Sequence, residues 1–195
     1  YAGRFYFVGG GMGRSVWLGV LLIVSLGLLL CLPYLNSPLF FDDVYFFQPG
    51  NPEKFLAGEG WFFHSRWWPH ETLAATYVWL GSKIYWLRLG NLTAHLMTAM
   101  VMAVLARDLL CDTDQRKNSN NSADIAAFLA VTIFVVHPLA IFAQGYLIQR
   151  TILFATLFAL LSLLAFWRGM RGSNAWLWAS PLFFLVAVMA KEHVV

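Results

Sequence analysis

The sequence predicts an all-α protein, a polytopic membrane helical bundle of about five transmembrane helices. Hydrophobic residues make up 59% of the 195-residue chain and charged residues only 12%, whereas a soluble globular domain carries about 25% charged residues. Apolar runs recur along the chain, and nine Trp and seventeen Phe suit wide membrane interfaces. The basic residues are scattered, so the net charge of +3 gives no reason to expect a nucleic-acid partner.

The first apolar run covers residues 16–34 and is long enough to cross a bilayer, which takes about 20 residues. Arg14 comes directly before this run, and basic residues mark the cytoplasmic end of a membrane helix. We therefore expect a cytoplasmic N-terminus and a first helix that runs outward. No cleavable signal pattern precedes it, so this helix is expected to be retained as an anchor.

Residues 36–83 are mixed in character and contain no run long enough to span. Turn signals and aromatic pairs such as Trp67-Trp68 predict one or two short interfacial helices on the outer, periplasmic or lumenal face. Four further apolar runs follow, covering approximately residues 84–106, 123–136, 151–167 and 176–190. The hydrophilic stretch 107–124 is predicted to be a cytoplasmic loop. The chain, 1–195, is thus expected to form a single transmembrane domain.

Five crossings that start in the cytoplasm would bring one set of polar side chains to the outer ends of the helices. This set consists of Asp42, Asp43, His137, Arg150, Lys191 and Glu192. Ionisable groups that converge at one membrane edge are a functional-site hypothesis. Simpler interpretations stay open: the acids point into water, Arg150 and Lys191 only snorkel from helix ends, and Asn91 and His95 only bond a neighbouring helix.

These side chains have the chemistry of group transfer from a lipid phosphate. The carboxylates of Asp42 and Asp43 can take a proton from an acceptor hydroxyl or hold a divalent metal ion. The guanidinium of Arg150 and the ammonium of Lys191 can bind a phosphate leaving group. His137 can bond a phosphate oxygen or a sugar hydroxyl. The sequence contains no nucleotide-binding loop, zinc motif or nucleophile elbow that would compete with this hypothesis.

The order of several motifs resembles that of a known family. The motifs are Phe41-Asp42-Asp43, Arg66, Leu89-Gly90-Asn91-Leu92-Thr93-Ala94-His95-Leu96, His137-Pro138-Leu139-Ala140, Tyr146-Leu147-Ile148-Gln149-Arg150 and Met189-Ala190-Lys191-Glu192. Together they resemble the GT-C class of membrane glycosyltransferases. Within that class they are most similar to the N-terminal part of transmembrane, tetratricopeptide-repeat-containing and protein O-mannosyltransferase-like proteins. The resemblance covers nearly all of residues 16–192.

The resemblance implies an inverting transfer of a sugar from a polyprenyl-phosphate-linked donor to a protein hydroxyl on the periplasmic or lumenal face. It makes Asp42 the catalytic base or acceptor-orienting acid, with Asp43 beside it. It places Arg150 and Lys191 near the donor phosphate. The full set of predicted substrate- and phosphate-binding residues is Arg66, His137, Gln144, Arg150, Lys191 and Glu192. Many relatives carry Glu or Gln five positions after the histidine. This chain departs from that pattern, with Phe142 at that position and Gln144 two positions later.

Two functions from different classes follow. The first is a GT-C-type glycosyltransferase, or its N-terminal half, as a multi-pass protein of the bacterial inner membrane. Its partners would be membrane lipid, a lipid-linked sugar and a protein acceptor, and a divalent metal at Asp42 and Asp43 remains an open choice of cofactor. The alternative is a non-catalytic integral membrane subunit that packs within a larger membrane complex.

Overall fold

The computed structural model describes residues 14–58, 66–113, 120–172 and 174–192. Within these ranges every regular element is helical, which confirms the all-α prediction. The helices are α1 (Arg14–Cys31), α2 (Asp42–Phe46), α3 (Asn51–Leu56), α4 (Trp67–Trp79), α5 (Ile84–Thr113), α6 (Asn120–Val136), α7 (Pro138–Gly145), α8 (Arg150–Met170) and α9 (Asn174–Ala190). A 3-10 turn, Leu32–Tyr34, follows α1, and another, Leu147–Gln149, precedes α8.

Two helical stretches are each long and apolar enough to cross a membrane, Ile84–Leu110 and Leu147–Met170. A third crossing exists if Ala123–Val136 and Pro138–Gly145, which meet at a bend of 55°, count as one span. The apolar stretches Leu21–Tyr34 and Asn174–Ala190 are shorter. Two to three described helices therefore meet the length of a full crossing, fewer than the five that were predicted. The prediction counted every apolar run, whereas a span also needs about 20 residues in one unbroken helix.

The bend between α6 and α7 has a local cause in the sequence. Pro138 has no backbone N–H, and its ring disfavours a helical conformation at the preceding residue. His137 is accordingly extended, with φ −62° and ψ 132°, and its Nδ1 atom accepts a hydrogen bond from the Leu139 amide at 3.2 Å. His137 thus ends one helix and caps the next.

Helices α5 and α8 run side by side in the same direction. Near their first residues, Arg150 donates to the Leu87 carbonyl at 2.8 Å, and near their last residues Arg168 donates to Asp108 at 2.9 Å. Helix α6 runs the opposite way, since Asp124 near its start accepts from Arg107 near the end of α5 at 2.8 Å. The ion pairs of Arg107 and Arg168 therefore gather at one end of the bundle.

Much of the predicted cytoplasmic loop at 107–124 is helical. Helix α5 continues to Thr113 and α6 begins at Asn120, so only 114–119 falls outside the described residues. Asp108 and Asp124 find basic partners on neighbouring helices. These ion pairs stabilise the last turns of α5 and the start of α6. Hydrophilicity alone had predicted a loop for the same residues.

Helix α1 lies along α6 and runs parallel to it, as two close approaches show. A Cβ atom on Gly19 would lie 2.8 Å from the ring of Phe128, and one on Gly27 would lie 2.9 Å from Val135 Cγ1. Glycine at both positions lets the helices come together. The buried residues of this contact are Ile23, Ala99, Val131 and Val135.

Helices α8 and α9 form an antiparallel hairpin that is joined by polar as well as apolar contacts. The hydroxyl of Ser162 donates to the Ser180 carbonyl at 2.9 Å, and Ser180 donates to the Ser162 carbonyl at 3.0 Å. Both side chains are buried. Their reciprocal bonds satisfy polar groups that would otherwise be costly between two apolar helices.

The predicted outer-face segment, 36–83, contains three short helices in its described part, α2, α3 and α4, rather than one or two. They pack over the first residues of α5 and over the 3-10 turn that precedes α8. The buried side chains of this layer are Phe46, Phe47, Leu73, Ala74, Leu87 and Leu147. The segment therefore covers one end of the bundle, opposite the ion pairs of Arg107 and Arg168.

Arg88, which is absent from the predicted site residues, joins this layer to α1. Its guanidinium is 2% exposed and donates to carbonyl groups on both sides of it. The acceptors are Tyr34 at 2.9 Å, Leu35 at 3.2 Å, Pro38 at 2.9 Å, Gly145 at 3.3 Å and Ser37. A basic residue one turn into an apolar run was the available signal for this role. The side chain supplies donors to a segment with little secondary structure of its own.

We expect Arg88→Met to lower the free energy of unfolding by at least about 3 kcal/mol, because it leaves several buried carbonyl groups without a donor. Thermal and denaturant unfolding in detergent would measure the loss. Thr93→Ala, an exposed change on the same helix, should stay within about 0.5 kcal/mol of the parent. Equal effects of the two changes would contradict the role of Arg88.

Candidate functional site

The two adjacent carboxylates of the predicted site have different environments. Asp43 is fully buried, and its oxygens accept hydrogen bonds from the amides of Leu147 at 2.9 Å and Ile148 at 3.0 Å. Burial raises the pKa of Asp43, while these two amide bonds and the charge of Arg88 act in the opposite direction. Both oxygens are therefore committed to the turn that precedes α8, so Asp43 acts as a structural acceptor.

Asp42 is exposed, so its carboxylate can meet a substrate, unlike the buried carboxylate of Asp43. Its carboxylate accepts a hydrogen bond from the Tyr146 hydroxyl at 2.6 Å. Burial, followed by the bond to Asp42, raises the pKa of Tyr146 to about 12. The phenol therefore keeps its proton at neutral pH and remains a donor that orients the carboxylate.

Aromatic rings surround the Asp42–Tyr146 pair. The ring of Tyr146 lies 5.8 Å from Phe40, 6.0 Å from Phe41 and 5.6 Å from Phe142, between ring centroids. We call Asp42, Tyr146, Phe40, Phe41 and Phe142 the Asp42 face. Phe41 is 74% exposed and Phe142 49%, so the face presents flat apolar surface beside an accessible carboxylate.

Two residues in or next to the predicted site have a strained backbone conformation. Among the described residues, the non-glycine residues with positive φ are Phe41 at 54° and Arg66 at 79°. Such conformations cost on the order of 1–3 kcal/mol each and cluster at functional sites. Phe41 comes directly before Asp42, and Arg66 is itself a predicted binding residue.

Arg66 and Glu192, which are 126 positions apart along the chain, lie together. The Nε atom of Arg66 donates to Glu192 Oε2 at 2.8 Å, and its Nη2 atom bonds Oε1. The amide of Arg66 also donates to the Met189 carbonyl at 2.8 Å. Both side chains are partly exposed, so the ion pair itself adds little stability, but it fixes the start of α4 against the end of α9.

Lys191 lies beside this pair at the end of α9. Burial, and then the positive charge of Arg66, lowers the pKa of Lys191. Within the described part of the chain, no carboxylate lies within ion-pair distance of its ammonium group. The residue is partly exposed.

His70 faces the same cluster from within α4. It is buried, and its ring lies 5.6 Å from Phe46 and 6.1 Å from Phe55. Burial, followed by the charges of Arg66 and Lys191, lowers the pKa of His70 to about 4. The imidazole therefore stays neutral at physiological pH.

Arg150 is the first residue of α8, and its donors point into the protein. The side chain is 3% exposed. Its Nε atom donates to Asn91 Oδ1 at 2.8 Å, Nη1 to the Thr72 carbonyl at 3.0 Å and Nη2 to the Leu87 carbonyl at 2.8 Å. Each guanidinium nitrogen thus has a protein acceptor, which favours a positioning role over phosphate binding. A Cβ on Gly90 would lie 2.7 Å from Nη2, so the side chain needs glycine there.

His137 and Gln144 lie apart from these charges. His137 is exposed and caps α7, as described above. Gln144 is buried; its side chain accepts from the Cys31 thiol, and its carbonyl accepts from Asn91 at 3.3 Å. The predicted site residues therefore divide among the Asp42 face, the cluster around Lys191, the buried Asp43 and Arg150, and the α6–α7 junction.

The residues present do not fit a metal shared by Asp42 and Asp43, because the oxygens of Asp43 face two amide donors. Within the described ranges, no group of three or more His, Cys, Asp or Glu side chains is arranged to hold a metal ion.

Comparison with known proteins adds no further constraint on the site. No protein-family model, curated protein or solved structure matches this chain.

We expect Asp43→Asn to lower the free energy of unfolding by about 2 kcal/mol, because the amide nitrogen would face a backbone N–H donor. Asp42→Asn, one residue earlier and exposed, should change it by less than about 0.5 kcal/mol. Thermal unfolding of both variants in the same detergent would measure the difference. Similar losses in the two variants would contradict the division of roles between the carboxylates.

We also expect stability to fall as the pH is lowered from 7 to 5. Between the ordinary pKa of 6.5 and the folded pKa of about 4, the unfolded chain binds a proton at His70 that the folded chain does not. The contribution is complete above pH 6.5 and is lost toward pH 4, at up to about 1.4 kcal/mol per pH unit.

Unfolding temperatures at pH 7 and pH 5 would measure this loss. His70→Phe, which places a ring among Phe46 and Phe55, should have a smaller pH dependence than the parent. An unchanged pH dependence in His70→Phe would assign the effect to other groups.

Proposed function

We propose that this chain is a GT-C-type membrane glycosyltransferase, or the N-terminal part of one. In this proposal it transfers a sugar from a polyprenyl-phosphate-linked donor to a protein hydroxyl. The observation that carries the proposal is the geometry of Asp42, an exposed carboxylate that is oriented by the Tyr146 hydroxyl at 2.6 Å. The strained Phe41 and the surrounding rings support the same location.

In the proposed reaction, Asp42 acts as general base. The acceptor hydroxyl gives its proton to the Asp42 carboxylate as its oxygen attacks the anomeric carbon of the sugar. The bond from that carbon to the phosphate oxygen breaks, and the polyprenyl phosphate leaves with the electron pair. The configuration at the anomeric carbon is inverted, because attack and departure occur on opposite faces. Tyr146 keeps the carboxylate oriented throughout, since its proton is retained.

Lys191 is the proposed partner of the leaving phosphate, since its ammonium has no carboxylate partner among the described residues. Arg66 keeps a partly exposed guanidinium beside it and adds positive charge to this end of the bundle. Asp43 and Arg150 hold the turn and helix that carry Tyr146, so we assign them positioning roles. The exposed rings of the Asp42 face suit contact with a sugar or a prenyl chain.

The proposed topology has five crossings, with α1, α5, the bent pair α6–α7, α8 and α9 as spans. The N-terminus is then cytoplasmic and the Asp42 face is periplasmic or lumenal, in a bacterial inner membrane in the simplest case. The support for this orientation is Arg14, which comes directly before the first apolar run, because basic residues favour the cytoplasmic side.

A second candidate is a non-catalytic membrane subunit, and a specific observation favours it. The buried charges Asp43, Arg88 and Arg150 all bond protein groups, as expected of a scaffold. Large apolar side chains are also presented outward, including Trp79 at 77% and Trp178 at 76% exposure. Such surface suits lipid or a protein partner equally.

Transfer of a labelled sugar from polyprenyl-phosphate donors to membrane proteins, with the full-length protein in proteoliposomes, distinguishes the two candidates. We expect Asp42→Asn to lower the rate at least about 100-fold, the size of a general-base contribution, with insertion and unfolding temperature unchanged. A parent protein without transfer, or an Asp42→Asn variant at full rate, would favour the subunit.

The affinity for polyprenyl phosphate gives a second test of the same proposal. We expect Lys191→Ala to weaken the binding of polyprenyl phosphate about tenfold, as for loss of one charged hydrogen bond. Lys83→Ala is the matched control, since Lys83 is an exposed lysine directly before α5 at the same end of the bundle. Equal losses in the two variants would indicate general charge attraction and would remove the specific role of Lys191.

A further inference from the structure

A cavity of about 440 Å³ lies between α5, α6, α7 and α8 and includes none of the predicted carboxylates. Its volume falls within the range of small-molecule sites, about 300–1,000 Å³. The lining is mostly apolar and contains no Asp, Glu, Lys or Arg, although His137, exposed at the α6–α7 junction, also borders it. His95 and Thr98 of α5, Phe134 of α6, Ala143 of α7 and Thr156 of α8 contribute to it.

His95 is a buried titratable side chain in the mostly apolar lining of this cavity. It is 2% exposed, and its ring stacks on Phe134 with 4.5 Å between centroids. The ring bonds the backbone of Val135, in the last turn of α6, where carbonyl groups lack the donors of a continuing helix. A ring N–H satisfies that carbonyl, which fixes a neutral imidazole whose other nitrogen is an acceptor.

That other nitrogen, Nε2, is buried and has no hydrogen-bond partner among the described residues. A buried acceptor of this kind carries a desolvation cost unless a donor reaches it. The neighbouring hydroxyls do not supply one, because Thr98 donates to the Ala94 carbonyl and Thr156 to the Ile152 carbonyl, both at 2.8 Å. His95, Thr98 and Thr156 therefore offer only acceptors on this side of the cavity, and a ligand group that reaches them must donate.

The depth of His95 limits the charge of that ligand. His95 lies about 16 Å along α5 from Ile84, at 1.5 Å per residue, near the middle of the stretch that is long enough to span. A charged headgroup at that depth would be costly, and the lining offers no counter-charge. Ile133 and Leu139 on the rim are 63% and 71% exposed, which gives an apolar molecule a route from the side.

We infer that this cavity is a binding site for a neutral, membrane-dissolved lipid alcohol, whose hydroxyl donates to His95 Nε2 and whose chain lies along Phe134 and Thr156. The site is separate from the Asp42 face and does not depend on the proposed sugar transfer. Its ligand differs from a lipid phosphate, because His95 offers an acceptor where an anion would need a donor, and the lining has no Lys or Arg.

The test uses a hexadecanol with a photoreactive diazirine in its chain and the purified protein in lipid nanodiscs. Cross-linked residues are mapped by peptide mass spectrometry and are expected on the cavity lining, Phe134 and Thr156 included. Unlabelled 1-hexadecanol and hexadecyl methyl ether then compete for the site. The ether has the same chain but no donor, so the alcohol should compete about fivefold better, the worth of one neutral hydrogen bond.

Variants distinguish the hydrogen bond to His95 from the fit of the chain in the cavity. His95→Phe keeps the ring stack, removes the acceptor and should abolish the preference for the alcohol. His95→Gln keeps a carbonyl acceptor and should retain it, and this variant serves if His95→Phe does not fold. Ala143→Leu, at the partly exposed rim, should weaken alcohol and ether equally.

Several results would overturn the inference. Alcohol and ether that compete equally in the parent protein would mean that Nε2 meets no donor from the ligand. Cross-links outside the cavity, or no competition by either compound, would mean that the cavity holds water only. A preference that persists in His95→Phe would assign recognition to another group.

Discussion

Irregular backbone inside an apolar bundle must have its polar groups bonded, and this constraint organises one whole end of the molecule. The chain leaves helical geometry after α1 and again between α7 and α8. Arg88 supplies donors to both segments, Asp43 supplies acceptors to the second, and Arg150 ties α8 to the start of α5. The charges are buried because the backbone groups that they satisfy are buried. Tyr146, and through it Asp42, takes its position from these bonds.

The helical class and the rough location of the apolar helices could be predicted, because composition and the proline break at Pro138 act locally. Only two to three of the described helices are long enough for a full span, because a run of apolar residues does not reveal where a helix bends or how long it continues. Both Asp42 and Asp43 were predicted to be catalytic, and only the resemblance to GT-C enzymes singled out Asp42 as the base. Their roles differ only because α2 packs with Asp43 toward the turn at Leu147. Arg88 was missed because its partners are carbonyl groups, which no motif records. The resemblance to GT-C enzymes stays a prediction.

Burial and exposure divide the charged residues into two kinds, and the division bears on function. Asp43 and Arg150 are held by groups of the chain itself, so a ligand would have to displace strong internal bonds to reach them. The Asp42 carboxylate is exposed, and the Lys191 ammonium is partly exposed and has no carboxylate partner among the described residues. Asp43 thus holds the turn next to Tyr146, and Tyr146 orients the Asp42 carboxylate, which stays exposed.

The close approach of Gly90 to Arg150 has a consequence for how the sequence can change over time. The guanidinium fills the space that a methyl group at position 90 would need, with 2.7 Å between the two. A larger residue at 90 would displace the arginine, and a smaller one at 150 would leave a void beside the glycine and free the partners of Arg150. The two positions, far apart along the chain, are therefore expected to covary: a change at either is tolerated chiefly in the company of a compensating change at the other.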